Sequence, residues 1–232
     1  MALPKLETPT YELVLPSTNQ TIVYRPFFVK EHKILMTLKD VTDNEILRVV
    51  KELVDACTFN KLKLKDLANF DIEYIFINLR AKSIGETLDL IINCECENKI
   101  DYILNLLEAK VKKNKDHSNK IQLTSSIGIE MRYPTFDEVV NAYQKNDQEE
   151  IIKLVIKCIK GIYDTNGGYW YTEDHTDEEI YNFTNDLTKN QFEKIEEFFV
   201  TMPKLEHTVE ADCDKCGKHN VIKLEGLQSF FV

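Results

Sequence analysis

The chain has 232 residues, with 29 Lys plus Arg against 39 Asp plus Glu and a formal net charge of −10 at pH 7. That acidic balance argues against a nucleic-acid groove, which needs clustered cations to meet phosphates. A content of 43% hydrophobic and 10% aromatic residues excludes a disordered chain and is enough for one large core or two small ones.

In chain order, Tyr11-Glu-Leu-Val-Leu, a Pro-Ser-Thr-Asn-Gln turn and Thr21-Ile-Val-Tyr-Arg predict a hairpin with strands at 11–15 and 21–25. Helices follow at 29–39, 43–57 and 70–82. In the second of them Ile46, Val49, Val50, Leu53, Val54 and Cys57 recur with the spacing of one helical face. Strands at 87–94 and 100–107 flank Cys94-Glu-Cys96. The basic run Lys110-Val-Lys-Lys-Asn-Lys reads as a solvated linker rather than a binding patch. Strands at 120–124 and 128–133 come next, then helices at 136–144 and 147–162. Ile151, Leu154, Val155, Cys158, Ile159 and Ile162 repeat the spacing of the earlier helix. A glycine-containing loop around Gly167-Gly-Tyr-Trp-Tyr precedes helices at 177–186 and 189–201, and strands at 206–212 and 220–224 flank Cys213-Asp-Lys-Cys216. Four helix starts fit the capping box, at Thr42/Glu45, Thr135/Glu138, Thr176/Glu179 and Thr188/Gln191. Hairpins and helices come in blocks, so the expected class is α+β.

The order hairpin, helices, cysteine hairpin occurs twice and predicts an internal duplication. Residues 1–108 form the first half, 109–119 a basic linker, and 120–232 a second half carrying the aromatic insertion. No stretch has the apolar core of a signal peptide or the length of a bilayer span, so no membrane is expected and folding in a reducing cytoplasm is. There, paired cysteines serve metal or redox chemistry more readily than structural disulfides.

Strand, cysteine pair at a tight turn, strand is half of a zinc ribbon, and this chain has two halves. Cys94, Cys96, Cys213 and Cys216 are therefore the candidate ligands of one structural zinc ion. Cys213-Asp-Lys-Cys216-Gly is a regular knuckle, while Cys94-Glu-Cys96 is one residue short, with Glu97 or His219 as substitute ligands. Competing readings are four plain reduced thiols, or a redox pair, which would need a helix N-terminus after the cysteines rather than a strand. Cys57 and Cys158 lie on apolar helix faces and read as core.

No catalytic constellation is present. The five histidines are scattered, seven glycines leave no phosphate-cradling loop, and a closed four-ligand metal has no open position. Glu173, Asp174, His175, Asp177 and Glu178 read as an acidic loop leading into a capped helix. Tyr169, Trp170 and Tyr171, then Phe230 and Phe231, are candidate interface anchors, the loop aromatics being equally readable as a local mini-core.

Several longer segments resemble one family. Leu3-Pro-Lys-Leu-Glu-Thr-Pro-Thr-Tyr-Glu-Leu, Tyr24-Arg-Pro-Phe-Phe-Val-Lys-Glu, Phe70-Asp-Ile-Glu-Tyr-Ile-Phe-Ile-Asn-Leu-Arg-Ala-Lys-Ser-Ile-Gly-Glu, Met131-Arg-Tyr-Pro-Thr, Phe198-Phe-Val-Thr-Met-Pro-Lys-Leu and Glu225-Gly-Leu-Gln-Ser-Phe-Phe are similar to the baseplate hub family of T-even-type contractile-tailed bacteriophages. The resemblance implies a non-enzymatic hub subunit or assembly factor. It would bind hub proteins in the cytoplasm of the infected host, as part of an oligomeric hub, and would be retained or not in the virion baseplate. The short Cys94-Glu-Cys96 spacer departs from the family's pattern. A zinc-ribbon adaptor, for example in transcription, is the alternative, and it would explain the cysteine pairs but not these segments.

Overall fold

The computed structural model describes residues 6–36, 43–145 and 147–230. Two strands, β1 (Tyr11–Val14) and β2 (Thr21–Tyr24), lead into helices α1 (Val29–Met36), α2 (Asp43–Cys57) and α3 (Asn69–Ser83). Strands β3 (Thr87–Asn93), β4 (Lys99–Asn105), β5 (Lys110–Lys112), β6 (Lys120–Gln122) and β7 (Ile127–Met131) follow, then α4 (Phe136–Lys145) and α5 (Gln148–Lys157). The chain continues through β8 (Ile159–Asp164), β9 (Tyr169–Tyr171), α6 (Asp177–Asn185), α7 (Lys189–Thr201), β10 (Lys204–Asp212) and β11 (His219–Glu225), and reaches a short 3-10 turn at Leu227–Phe230. The mixture of sheets and helices is the expected one.

Two compact units result, one made of Met1–Lys112 with Lys204–Val232, the other of Lys113–Pro203. They cut across the sequence halves, because the C-terminal cysteine hairpin belongs to the same unit as the N-terminal segment.

In the first unit α3 is the central helix. Phe70, Ile72, Ile75, Phe76, Ile77 and Leu79 are all at most 2% exposed, so it is apolar nearly all round rather than on one stripe. Its first turn carries Asp71, fully buried, which accepts from the Ser17 amide at 3.0 Å and from the Ser17 hydroxyl, tying the β1–β2 turn to the helix start. β3 alternates strictly, with Leu88, Leu90 and Ile92 inward. These residues share a core with Ile77, Ala81, Leu104, Leu106, Leu205, Val209 and Phe230. The antiparallel β3–β4 pair and the sheet β11-β10-β5 both contribute to it.

In the second unit the antiparallel sheet β6-β7-β8-β9 packs its Ile129, Met131 and Ile159 with Val155, Ile180, Ile195 and Phe198 from the helices. Capping boxes start α4, α6 and α7. Glu138 accepts from the Thr135 amide at 2.9 Å, Glu179 from Thr176 at 2.8 Å and Gln191 from Thr188 at 2.8 Å. The box expected at Thr42, like the end of the helix predicted to 39, lies outside the described residues.

Three expectations need correction. The loop predicted around Gly167-Gly-Tyr-Trp-Tyr carries the strand Tyr169–Tyr171, paired with β8. The helix predicted over 147–162 stops at Lys157, and Ile159–Asp164 is a strand pairing with β7 and β9. Short runs of β-branched apolar residues satisfy both periods, and Gly161 suits the strand because Tyr169's ring lies 2.5 Å from where a Cβ would stand. The start of the basic linker is also structured. Lys110–Lys112 forms β5 on β10, with Val111 opposite Leu205 and Lys112 3.2 Å from Glu206.

One local arrangement recurs in the two units. The Arg25 amide donates to the Cys57 carbonyl at 3.0 Å, and its guanidinium reaches both the Pro26 carbonyl and Glu31, whose other oxygen accepts from the Phe28 amide. The Arg132 amide donates to the Cys158 carbonyl at 2.8 Å, and its guanidinium reaches the Tyr133 carbonyl and Glu138, which accepts from the Thr135 amide.

Candidate metal centre

The four cysteines sit at the tips of two β-hairpins in the first unit. In β3–β4 the Cys94 amide donates to the Asn98 carbonyl and the Glu97 amide to the Cys94 carbonyl, both at 2.9 Å. In β10–β11 the Cys213 amide donates to the Lys218 carbonyl at 2.9 Å and the Gly217 amide to the Cys213 carbonyl at 2.8 Å. The turns are the same device built one residue apart in length. Each closes on a left-handed residue after its second cysteine, Gly217 at φ 73° and Glu97 at φ 64°. Glycine takes that conformation freely, whereas Glu97 adopts it under steric strain.

Together the hairpins place all four sulfurs within 4.8 Å of one another. Cys94 Sγ lies 3.7 Å from Cys216 Sγ, and Cys96 Sγ 3.6 Å from Cys213 Sγ. A tetrahedral ion with metal–sulfur bonds of about 2.3 Å has sulfur–sulfur edges of about 3.8 Å. The two printed edges are close to that figure and far from a disulfide length of about 2.05 Å. The short spacer of Cys94-Glu-Cys96 therefore does not keep its sulfurs from the group. Among the described residues this is the one group of His, Cys, Asp and Glu side chains able to hold a metal.

Polar side chains tie the hairpins around the sulfurs. Asn98 Nδ2 donates to Cys213 Sγ at 3.5 Å and to Asp214 Oδ1 at 2.5 Å, and Lys218 Nζ meets Glu95 Oε1 at 2.6 Å. Cys94 and Cys213 are buried, Cys96 is half-buried and Cys216 exposed. Amide donation from Cys216, against burial and with help from the Lys215 amide, brings the Cys213 thiol down to about 6. The Cys96 amide likewise lowers Cys94. The Lys218 amide lowers Cys216, but the neighbouring sulfurs of Cys96 and Cys213 outweigh it and push this thiol up to about 12. Four thiolates this close repel one another, and a divalent cation is what lets all four ionise together. Donor set and spacing both fit a thiolate-bound metal.

The substitute ligands do not join the group. His219 Nδ1 is 2.7 Å from Asp212 Oδ1 and its Nε2 3.7 Å from Glu210, while Glu97 is exposed. The acidic loop residues are also outside it, His175 lying 3.7 Å from Glu179. Cys57 and Cys158 are fully buried core residues. The bridging roles of Asn98, Glu95 and Lys218 had no sequence signal, because polar residues at a hairpin tip look alike until the second hairpin is in place.

The other expected interaction residues divide. Trp170 and Tyr171 on edge strand β9 are 45% and 48% exposed, whereas Tyr169 is half-buried and its hydroxyl donates to Glu130 at 3.2 Å. Phe230 is only 1% exposed and belongs to the first unit's core, so it is not a free anchor; Phe231 lies outside the described residues. No helix among the described residues is long and apolar enough to cross a membrane.

Among known proteins, the family model described as T4 bacteriophage base plate protein matches residues 8–232, nearly the whole chain. Searches of curated proteins and of solved structures found no match.

Proposed function

Since the chain belongs to the T4 bacteriophage base plate protein family, we propose that it is a non-enzymatic component or assembly factor of the baseplate hub. It works by binding other hub proteins while the tail is assembled in the host cytoplasm. The match over residues 8–232 supports the baseplate role, and the hub assignment rests on the resemblance of the segments quoted above to hub proteins. The closed four-thiol group accords with it, because a metal held by four protein ligands is a staple and not a reaction centre. The transcription-adaptor alternative accounts for the cysteine group but not for the family match over residues 8–232.

Within that role Cys94, Cys96, Cys213 and Cys216 hold one zinc ion. Thiolate coordination joins the two hairpins, so the free energy of metal binding becomes folding free energy of the first unit. The chain is also an internal duplication of residues 1–108 and 120–232. The recurrent Arg–Glu–Cys arrangement and the two matched cysteine turns support this, since convergence would have to reproduce several backbone and side-chain bonds in the same order.

Co-expression of tagged chain with the other baseplate proteins of its phage tests the hub reading. Capture of a hub protein, together with loss of complete baseplates when the gene is deleted, is expected. Capture only of peripheral baseplate proteins would move the role away from the hub and leave family membership intact.

A further inference from the structure

The stretch after β5, expected from its charge to be solvated linker, carries a buried side chain. His117 is 8% exposed. Its ring lies 4.9 Å from the Phe198 ring and stacks on Tyr133 at 5.7 Å, and its Nδ1 is 3.0 Å from the Thr201 hydroxyl. That hydroxyl has already placed its single proton, since Thr201 Oγ1 donates to the Glu197 carbonyl at 2.8 Å, one turn back on α7. Thr201 is therefore the acceptor, and the neutral imidazole carries its proton on Nδ1. Nε2 is left as a bare lone pair, buried and without a hydrogen-bond partner.

The contact also has a place in the chain. The second unit runs from Lys113 to Pro203. His117 and Thr201 stand close to its two ends, so their bond clasps the segment that enters the unit to the helix end that leaves it.

From this geometry we infer that His117 is an acid-sensitive clasp: neutral, it holds the two ends of the second unit together, and protonation at Nε2 releases them. Protonation makes a second N–H, and the pocket offers it no acceptor. Tyr133 walls the pocket from the segment between β7 and α4, and its hydroxyl is committed to Asn119 Oδ1 at 3.3 Å. Phe198 and Thr201 wall it from α7. The charge that acts on the ring is Lys113, on its own segment, which repels a second cation. The aromatic faces attract a charged imidazole but give its N–H nothing in place of water. The ring finds water only by leaving the pocket, and in leaving it gives up Thr201.

Burial first, and Lys113 second, hold the ring below the ordinary histidine value of 6.5. The unfolded chain therefore takes up the proton first. The clasp's contribution is complete above the unfolded value and is lost as pH falls from there through the folded one.

The test uses the full chain, isotope-labelled, with His117→Asn beside it. Asparagine keeps an N–H for Thr201 but cannot take up a proton. Long-range proton–nitrogen NMR spectra of wild type at pH 8 should show His117 protonated at Nδ1 and bare at Nε2. On acidification its ring should titrate below 6.5, and its contacts with Phe198 should vanish as it does so. The opposite tautomer, titration at or above the ordinary value, or contacts that survive protonation overturns the inference. Between pH 7 and 5 the melting temperature of wild type should fall further than that of His117→Asn. Other titrating groups are common to both proteins, so the difference belongs to His117, and equal falls also overturn the clasp. If His117→Asn fails to fold by circular dichroism, the wild-type titration, assigned through the Phe198 contact, decides alone.

Discussion

Glu31 Oε1 lies 3.0 Å from Arg25 Nη2, and the two residues are only 3% and 7% exposed, a nearly dry ion pair at the entrance to α1. The counterpart in the second unit, Arg132 with Glu138, is bidentate at 2.8 and 2.7 Å, but its side chains remain 37% and 22% exposed. The same contact is thus made in two dielectric settings, and its worth should differ accordingly.

Removing Glu31 leaves Arg25 charged and dry, so Glu31→Ala should cost about 3–5 kcal/mol. Glu138→Ala leaves Arg132 partly hydrated and should cost about 1–3 kcal/mol. Chemical denaturation of both variants checks the ranking, and equal losses would mean that burial does not set the cost. Burial alone would raise the Glu31 carboxyl, but the Arg25 guanidinium and the Phe28 amide together hold it below its ordinary value. With the folded value depressed, the stabilisation is present above the unfolded carboxylate value and is lost as pH falls through the folded one. The gap between wild type and Glu31→Ala should therefore shrink only at acid pH.

Glu73 should behave with the opposite sign. Its Oε1 accepts from Asn69 Nδ2 at 3.0 Å and from the Leu227 amide at 3.4 Å, and burial, reinforced by Glu225, pushes its carboxyl from 4.5 up to about 7. A carboxyl raised in the folded state binds a proton that the unfolded chain has already lost. Stability is then greatest below the unfolded value, falls as pH rises toward about 7, and is flat above it. Glu73→Gln keeps the acceptor and removes the charge, so it should raise stability at pH 8 by roughly 2 kcal/mol and abolish that slope. Melting curves between pH 4 and 8 measure it, and an unchanged slope would assign the pH dependence to another group.

Metal removal tests the staple. Protein purified without chelator should carry about one equivalent of zinc, and chelation should lower the melting temperature of the first unit. Cys213→Ser should abolish binding outright. It removes a buried sulfur, 2% exposed, that accepts from the Cys216 and Lys215 amides. Binding of metal by Cys213→Ser with wild-type stoichiometry would exclude the four-thiolate site.

The limits of the sequence reading have physical causes. The cysteine pairs are legible because closely spaced thiols between two strands have few uses besides metal or redox chemistry, and the capping boxes because Thr135, Thr176 and Thr188 bond within their own first turns. The helix–strand error at Ile159–Ile162 arose where β-branched residues fit either period, and only pairing with β7 and Trp170's strand decides it. β5 looks like linker in the sequence because its partner, β10, lies far along the chain. The Arg25–Glu31 and Arg132–Glu138 clasps were hidden for a smaller reason. The prolines of Arg25-Pro26 and Arg132-Tyr133-Pro134 stand one residue out of step, whereas the bonds align Pro26 with Tyr133, the residue after each arginine.

The aromatic residues that the sequence offers as anchors should separate by experiment. Phe230 is core, so Phe230→Ala should cost about 3–5 kcal/mol whether or not a partner is present. Trp170 stands on an edge strand opposite Ile162, 45% exposed, with its strand held by pairing to β8 and by Thr172, whose hydroxyl donates to the Ile159 carbonyl at 2.7 Å. None of those bonds involves the indole. Trp170→Ala should therefore leave the melting temperature nearly unchanged while weakening hub-protein binding by roughly 1–3 kcal/mol, with Tyr171→Ala behaving alike. Tyr169→Ala should lose stability instead, because it removes the Glu130 bond and the ring lying over Gly161. Isothermal titration of each variant against the captured hub protein, alongside calorimetric melting, reads both quantities. A Trp170→Ala variant that melts early yet binds normally would make the hairpin a local core and place the contact surface elsewhere on the chain.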